Sequence, residues 1–121
     1  MKREFVLTEW FEASWKDLSL NDTTLRELQD ELLRNPLTGS VIQGTGGFRK
    51  MRFALEGRGK SGGIRVIYLD IPDFAMLYLM LAYPKSEKDN LAPAERNELK
   101  QISDSIKQNL QKNIRHEKRR R

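Results

Sequence analysis

Cysteine is absent from the 121 residues, and histidine occurs once, as His116 in a polar tail. Without thiols there is neither a disulfide nor a thiolate-bound metal, and a single histidine leaves nothing to build a zinc cluster from. No metal ion and no other cofactor is therefore expected. Long apolar runs are missing too: the longest, Phe74 to Tyr83, is about half of what a membrane-spanning helix requires. The start, Met1-Lys2-Arg3-Glu4-Phe5, is charged through Glu9 and has no apolar stretch of the kind that leads a secreted chain. From these absences a soluble, cytoplasmic protein is expected. The length suits one domain with one modest core.

Charge is present in quantity, and its placement says more than its total of +5. Residues 48–65 carry Arg49, Lys50, Arg52, Arg58, Lys60 and Arg65 against Glu56 alone, and the tail from Lys107 to Arg121 is again strongly basic. The stretches 1–47 and 66–106 have an acidic excess. A positive block inside acidic surroundings fits a concentrated polyanion-binding surface; a solvated charged hairpin accounts for the same composition.

Periodicity divides the chain into elements. Phe5-Val6-Leu7 reads as an edge strand, with Thr8 as N-cap of a helix to about Leu18 whose Phe11, Trp15 and Leu18 share a face. Asn21-Asp22-Thr23-Thr24 opens a second helix, in which Thr24 and Glu27 match a capping box and Leu25, Leu28 and Leu32 line one side until Asn35-Pro36. Leu37 to Gly47 reads as loop. From Phe48 the period becomes two: Met51, Phe53 and Leu55 alternate with Lys50 and Arg52, which places two cations about 7 Å apart on one strand face. Ile64 to Ile71 and Phe74 to Tyr83 are near-continuously apolar, as central strands are. A last helix follows Pro93, striped by Leu99, Ile102, Ile106, Leu110 and Ile114, and is expected to fray from Arg115 onward. The expected architecture is α+β: an antiparallel meander with an N-terminal helical hairpin and a C-terminal helix packed on one face. Residues 1–106 form the expected domain, and 107–121 a basic extension ending in a disordered tail.

Gly57-Arg58-Gly59-Lys60-Ser61 invites a phosphate-loop reading, which fails because Ala54 stands where the first glycine is needed and the segment leads into a strand. A glycine-rich hairpin with Arg58 and Lys60 at its tip is the better account. Arg65 opens an apolar strand, where an unpaired cation is costly to bury, so it should meet either a phosphate or a carboxylate: Asp70, Asp73 or one on a helix.

Three collinear runs now become recognisable: Val41 to Arg52, Gly57 to Tyr68, and Tyr83 to Leu91. Together they resemble RelE-type toxins of the HigB branch. The resemblance implies a RelE fold and a toxin that cleaves mRNA in the ribosomal A site. It also implies neutralisation by a cognate antitoxin, usually a helix-turn-helix protein that brings the pair to operator DNA, and no membrane partner. Lys50, Arg52 and Arg65 match strand positions where the family sets basic residues against the mRNA backbone, and Lys85 matches a basic position after the last strand. Ser86 stands where RelE has an arginine, and Ala92 near where it has a tyrosine; Tyr83 and Lys88 serve as substitutes. Arg49, Arg58, Lys60 and Lys88 complete the expected RNA-binding set.

Metal-independent RNA cleavage proceeds by attack of the 2′-hydroxyl on the adjacent phosphorus. It needs a base, an acid and stabilisation of the charge on the phosphorane. A lysine can serve as base where neighbouring cations disfavour its charged form, which makes Lys50 the candidate. Arg52 and Arg65 would stabilise the phosphorane through permanently protonated, paired donors, and Lys85 or Tyr83 would protonate the leaving oxygen. Two other readings keep the same residues: a ParE-like toxin that inhibits DNA gyrase by binding, and a non-catalytic nucleic-acid-binding module driven by the basic tail.

Overall fold

The computed structural model describes residues 2–55, 63–87 and 90–119, with side chains up to residue 114. In chain order the elements are β1 (Glu4–Leu7), α1 (Glu9–Asp17), α2 (Asp22–Arg34), β2 (Ser40–Val41), β3 (Arg49–Phe53), β4 (Ile64–Ile71), β5 (Met76–Pro84) and α3 (Pro93–Arg119), with a 3-10 turn at Pro72–Phe74 before β5.

Both helices of the hairpin begin on side-chain caps. Thr8 Oγ1 accepts from the Phe11 N–H at 3.1 Å, as expected for α1. In α2 the cap lies three residues before the expected capping box: Asn21 Oδ1 accepts from the Thr24 N–H at 2.9 Å, so Thr24 is already inside the helix. An extended asparagine before the first turn reaches that orphan donor directly, which leaves Thr24 no capping role. Phe11 and Trp15 stack with centroids 5.3 Å apart, and Leu28 and Leu32 of α2 join them in one buried cluster.

The strands form one sheet in the order β1-β5-β4-β3-β2. Three pairings are antiparallel, but β1 runs parallel to β5, with Phe5 beside Leu77 and Leu7 beside Leu79. The sheet is therefore mixed, because the chain returns to the β1 edge only after the helical hairpin and the meander. Ser40–Val41, expected as loop, pairs with Arg49 and Lys50 as a two-residue edge strand. Past β1, the edge of β5 is capped by side chains of the first helical turns instead of a strand. Thr8 Oγ1 donates to the Met80 carbonyl, and Ser14 Oγ accepts from the Ala82 N–H. Such capping protects an edge from pairing with another chain.

The expectation that all helices share one face is corrected by the burial pattern. On β4, Ile64, Val66 and Tyr68 pack with α1 and α2, whereas Ile67, Leu69 and Ile71 pack with Leu99, Ile102, Ile106 and Leu110 of α3. Strands that are apolar on both faces need cover on both, so the sheet is the middle of three layers. Opposite Ile67 and Tyr68 the register skips Met80, a β-bulge that turns both Met80 and Leu81 toward the α3 side.

Contrary to the expected fraying from Arg115, the α3 backbone stays helical through Arg119. Past Leu110 its apolar stripe loses the sheet, and Ile114 is 41% exposed. The helix is pinned near its middle by the loop before β3: the Gly46 carbonyl accepts from Ser103 Oγ at 2.8 Å and from Lys107 Nζ at 2.7 Å. Gly46 has φ +76°, and a Cβ there would stand 2.7 Å from Ser103 Oγ, so only glycine lets this loop meet the helix.

Candidate nucleic-acid interface

Antiparallel pairing converts sequence spacing into rows across the sheet. Arg52 of β3 lies opposite Arg65 of β4, and Arg65 lies opposite Tyr83 of β5. Residues directly opposite share a face with Cβ atoms about 5 Å apart. One row of the α3-side face thus reads Arg52, Arg65, Tyr83. Two residues further along, the next row begins with Lys50, opposite Ile67, opposite Leu81. Lys50 is half-buried and Arg52 exposed.

At the open end of this face lies a groove of about 420 Å³ lined by Arg52, Phe53, Ala54, Gly63, Ile64, Arg65 and Lys85. Three cations thus converge from β3, β4 and the turn after β5. Arg65 is the most confined of them, only 8% exposed. Among the described residues it has no carboxylate partner and no hydrogen bond, although no side-chain donor is left both fully buried and unbonded. Of the carboxylates expected for it, Asp70 belongs to the other face of β4. Asp70 is held by Arg3, with Nε to Oδ1 at 2.7 Å and Nη2 to Oδ2 at 3.3 Å. That bidentate bond keeps the Arg3 guanidinium pKa above its ordinary value. Asp73 sits in the 3-10 turn beyond the far end of β4. A guanidinium confined in a groove, with its donors unspent among the described residues and two more cations beside it, is suited to phosphate oxygens.

The remaining expected residues divide. Tyr83 is 5% exposed and packed in the α3-side cluster, so its ring supports Arg65 from the neighbouring strand. Arg49 is not with the others: it lies on the opposite face of β3, across from Tyr68, and donates to the Gly39 carbonyl at 2.7 Å. Tyr68 completes that arrangement, fully buried, its hydroxyl donating to the Pro36 carbonyl at 2.6 Å and accepting from the Gly39 N–H at 2.9 Å. Burial pushes this phenol's pKa up, against the opposing effects of the Gly39 bond and Arg49. Arg58, Lys60 and Lys88 lie outside the described residues. Sequence reading missed the Ser103 and Lys107 bonds to Gly46 that seat the loop leading into β3. The only available signal was a small polar residue, Ser103, inside the α3 stripe.

Residues 3–120 match the family described as the RelE toxin of the RelE/RelB toxin–antitoxin system. The chain belongs to the RelE toxin family. A RelE toxin acts as one half of a toxin–antitoxin pair, so an antitoxin partner follows from membership. Among solved structures, the chain is similar to a double arginine-to-alanine mutant of the Escherichia coli toxin RelE in the free state. The two share 17% sequence identity, with 72% of this chain and 88% of that one covered and a TM-score of 0.48. Among the described residues no helix is long and apolar enough to cross a membrane.

Proposed function

We propose that this RelE-family protein is a HigB-type mRNA endoribonuclease, acting on mRNA in the ribosomal A site in the cytoplasm and silenced by a helix-turn-helix antitoxin that carries the pair to operator DNA. The observation that carries the catalytic part is Arg65: a confined cation with no carboxylate partner among the described residues, in a groove shared with Arg52 and Lys85.

The chemistry follows from what these groups can do. A phosphate in the groove accepts paired donors from Arg65 and Arg52, which hold the phosphorus for attack by the adjacent 2′-hydroxyl. Lys50, on the same face and two residues from Arg52, takes the hydroxyl proton. The guanidiniums stabilise the added negative charge of the phosphorane, the effect that contributes most where water is excluded. Lys85 at the groove mouth, or Tyr83 behind Arg65, returns a proton to the departing 5′ oxygen. The products are a 2′,3′-cyclic phosphate and a 5′-hydroxyl, and no water is consumed in this step. Cations alone are a modest acid–base pair, so orientation of the message by the ribosome supplies the remaining rate.

The test is to add purified protein to a translating extract programmed with a defined message and to map fragment ends. Ribosome-dependent fragments ending in 2′,3′-cyclic phosphate support the reading. Intact message together with gyrase inhibition would establish the ParE-like alternative. Deleting residues 115–121 separates the third reading. A binding module driven by the basic tail is weakened by that deletion and loses its activity when residues 107–121 are removed. The strand-based site keeps its cut positions and gives up only salt-sensitive affinity, its log–log slope falling by roughly one unit for each phosphate the tail had neutralised.

A further inference from the structure

Beside the cationic row, on the same face, a second cavity of about 210 Å³ opens between β5 and the first turns of α3. Its floor is Ile67 and Leu81, its walls include Leu91 and Leu99, and Trp10 stands at its mouth, 57% exposed. Glu95 and Glu98 of α3 sit on the rim. Glu95 is partly engaged, accepting from the Ala92 N–H at 2.9 Å, whereas Glu98 is exposed and has no hydrogen-bond or ion-pair partner among the described residues.

Ile67 lies two residues from Arg65 on one strand face, about 7 Å away. A nucleotide's base and its own phosphate are separated by a similar distance. We propose that the Trp10 pocket is the base subsite of the same RNA site, receiving the nucleobase attached to the phosphate held by Arg52 and Arg65; this rests on the endoribonuclease reading. Trp10 supplies a stacking face that any base can use. The floor removes the base from water, and Glu98 selects, because an ionised carboxylate accepts hydrogen bonds and donates none. Adenine, cytosine and guanine carry an exocyclic amino group with two N–H donors, while uracil has carbonyl oxygens at the corresponding positions, which repel a carboxylate, and only the single N3–H between them. The pocket therefore sets a preference for amino-bearing bases, independent of the chemistry at the phosphate.

Fluorescein-labelled hexanucleotides of adenine, cytosine and uracil, titrated by anisotropy in low salt, test this with the intact protein. Wild type should bind oligo-A and oligo-C about tenfold more tightly than oligo-U. Glu98→Gln, on the exposed side of α3, should reduce the discrimination to within twofold, chiefly by raising oligo-U affinity, because the repelling carboxylate gives way to an amide that can donate to uracil's carbonyls. Trp10→Ala should weaken all three. Arg65→Ala should weaken all three without altering their ratios. Equal binding of all three by wild type, or discrimination that survives Glu98→Gln, overturns the base subsite even if Arg65→Ala confirms the phosphate groove. If Arg65→Ala binds as wild type does, the groove reading itself fails. If Trp10→Ala and Glu98→Gln leave RNA binding intact and instead weaken the complex with the antitoxin, the pocket is a protein-docking site and the proposal is wrong.

Discussion

On β3, neighbouring residues belong to different environments. Met51 and Phe53 are sealed beneath the α1–α2 hairpin, while Lys50 and Arg52 point to the side that α3 covers only in part. The sealed face is a continuous apolar cluster from Phe11 and Trp15 through Leu28 and Leu32 to Val66 and Leu79. The α3 face is apolar where the helix crosses it and cationic beyond, with Arg52 directly opposite Arg65. Like charges placed directly opposite on adjacent strands destabilise a sheet. Both faces contribute to the core, but only the α3 face also accepts, at its open end, a penalty that a bound polyanion would relieve.

The two faces should therefore fail in different ways, most clearly under truncation to alanine. Arg65→Ala removes the central phosphate ligand, and we expect growth arrest on expression to disappear, with fragment yield falling by about a hundredfold or more, the scale of removing a charged oxyanion donor. Its melting temperature should stay close to wild type. Leu79→Ala, at a fully buried position of the opposite face, should cost about 2–5 kcal/mol in urea unfolding, with activity falling only in proportion to the unfolded fraction. If Arg65→Ala unfolds as readily as Leu79→Ala, Arg65 is a structural residue and the division between the faces does not hold.

A smaller effect is expected at Tyr68, whose ring lies in the sealed cluster while its hydroxyl ties the Pro36–Gly39 turn to β4. Tyr68→Phe keeps the ring but leaves the Pro36 carbonyl and the Gly39 N–H without this partner. The expected loss is about 1–3 kcal/mol in urea unfolding, with cleavage per folded molecule unchanged. A selective loss of cleavage instead would show that the β2 edge, where Arg49 also bonds Gly39, communicates with the groove.

Much of this division is legible in the alternation of Met51 and Phe53 with Lys50 and Arg52, because period two assigns strand faces without any knowledge of partners. The near-continuous apolar character of Ile64–Ile71 and Met76–Pro84 also contains the second layer. Two-sided burial demands cover on two sides, and the one-face expectation overlooks that demand. Pairing is less accessible. Nothing local to Phe5-Val6-Leu7 distinguishes a parallel from an antiparallel neighbour, and Ser40–Val41 is too short to register against the glycines around it. Adjacency groups Arg49 with Lys50, though one step along a strand reverses the face. The convergence of Lys85 with Arg52 and Arg65 depends on three-strand register, which one chain's periodicity does not encode.

The smallest expected effect is also the sharpest test of the penalty on the open face. Arg52 is exposed and opposite Arg65, so replacing it with glutamine removes a cross-strand repulsion while keeping a long side chain over the same strand. Stability should rise by a few tenths of a kcal/mol, within the roughly 0.2–1 kcal/mol scale of cross-strand pairs, while cleavage falls. The sign is opposite to that of nearly every substitution on the sealed face. Because exposed charges are screened over about 10 Å at 0.1 M salt, the gain should be largest at low ionic strength and fade as salt is added. Inorganic phosphate should raise the melting temperature of wild type more than that of Arg52→Gln, since an anion between the two guanidiniums does for wild type what the substitution does for the variant. A variant less stable than wild type at low salt would mean that Arg52 contributes through packing of its methylenes, and the repulsion across the β3–β4 pair would then play no part in the stability of this face.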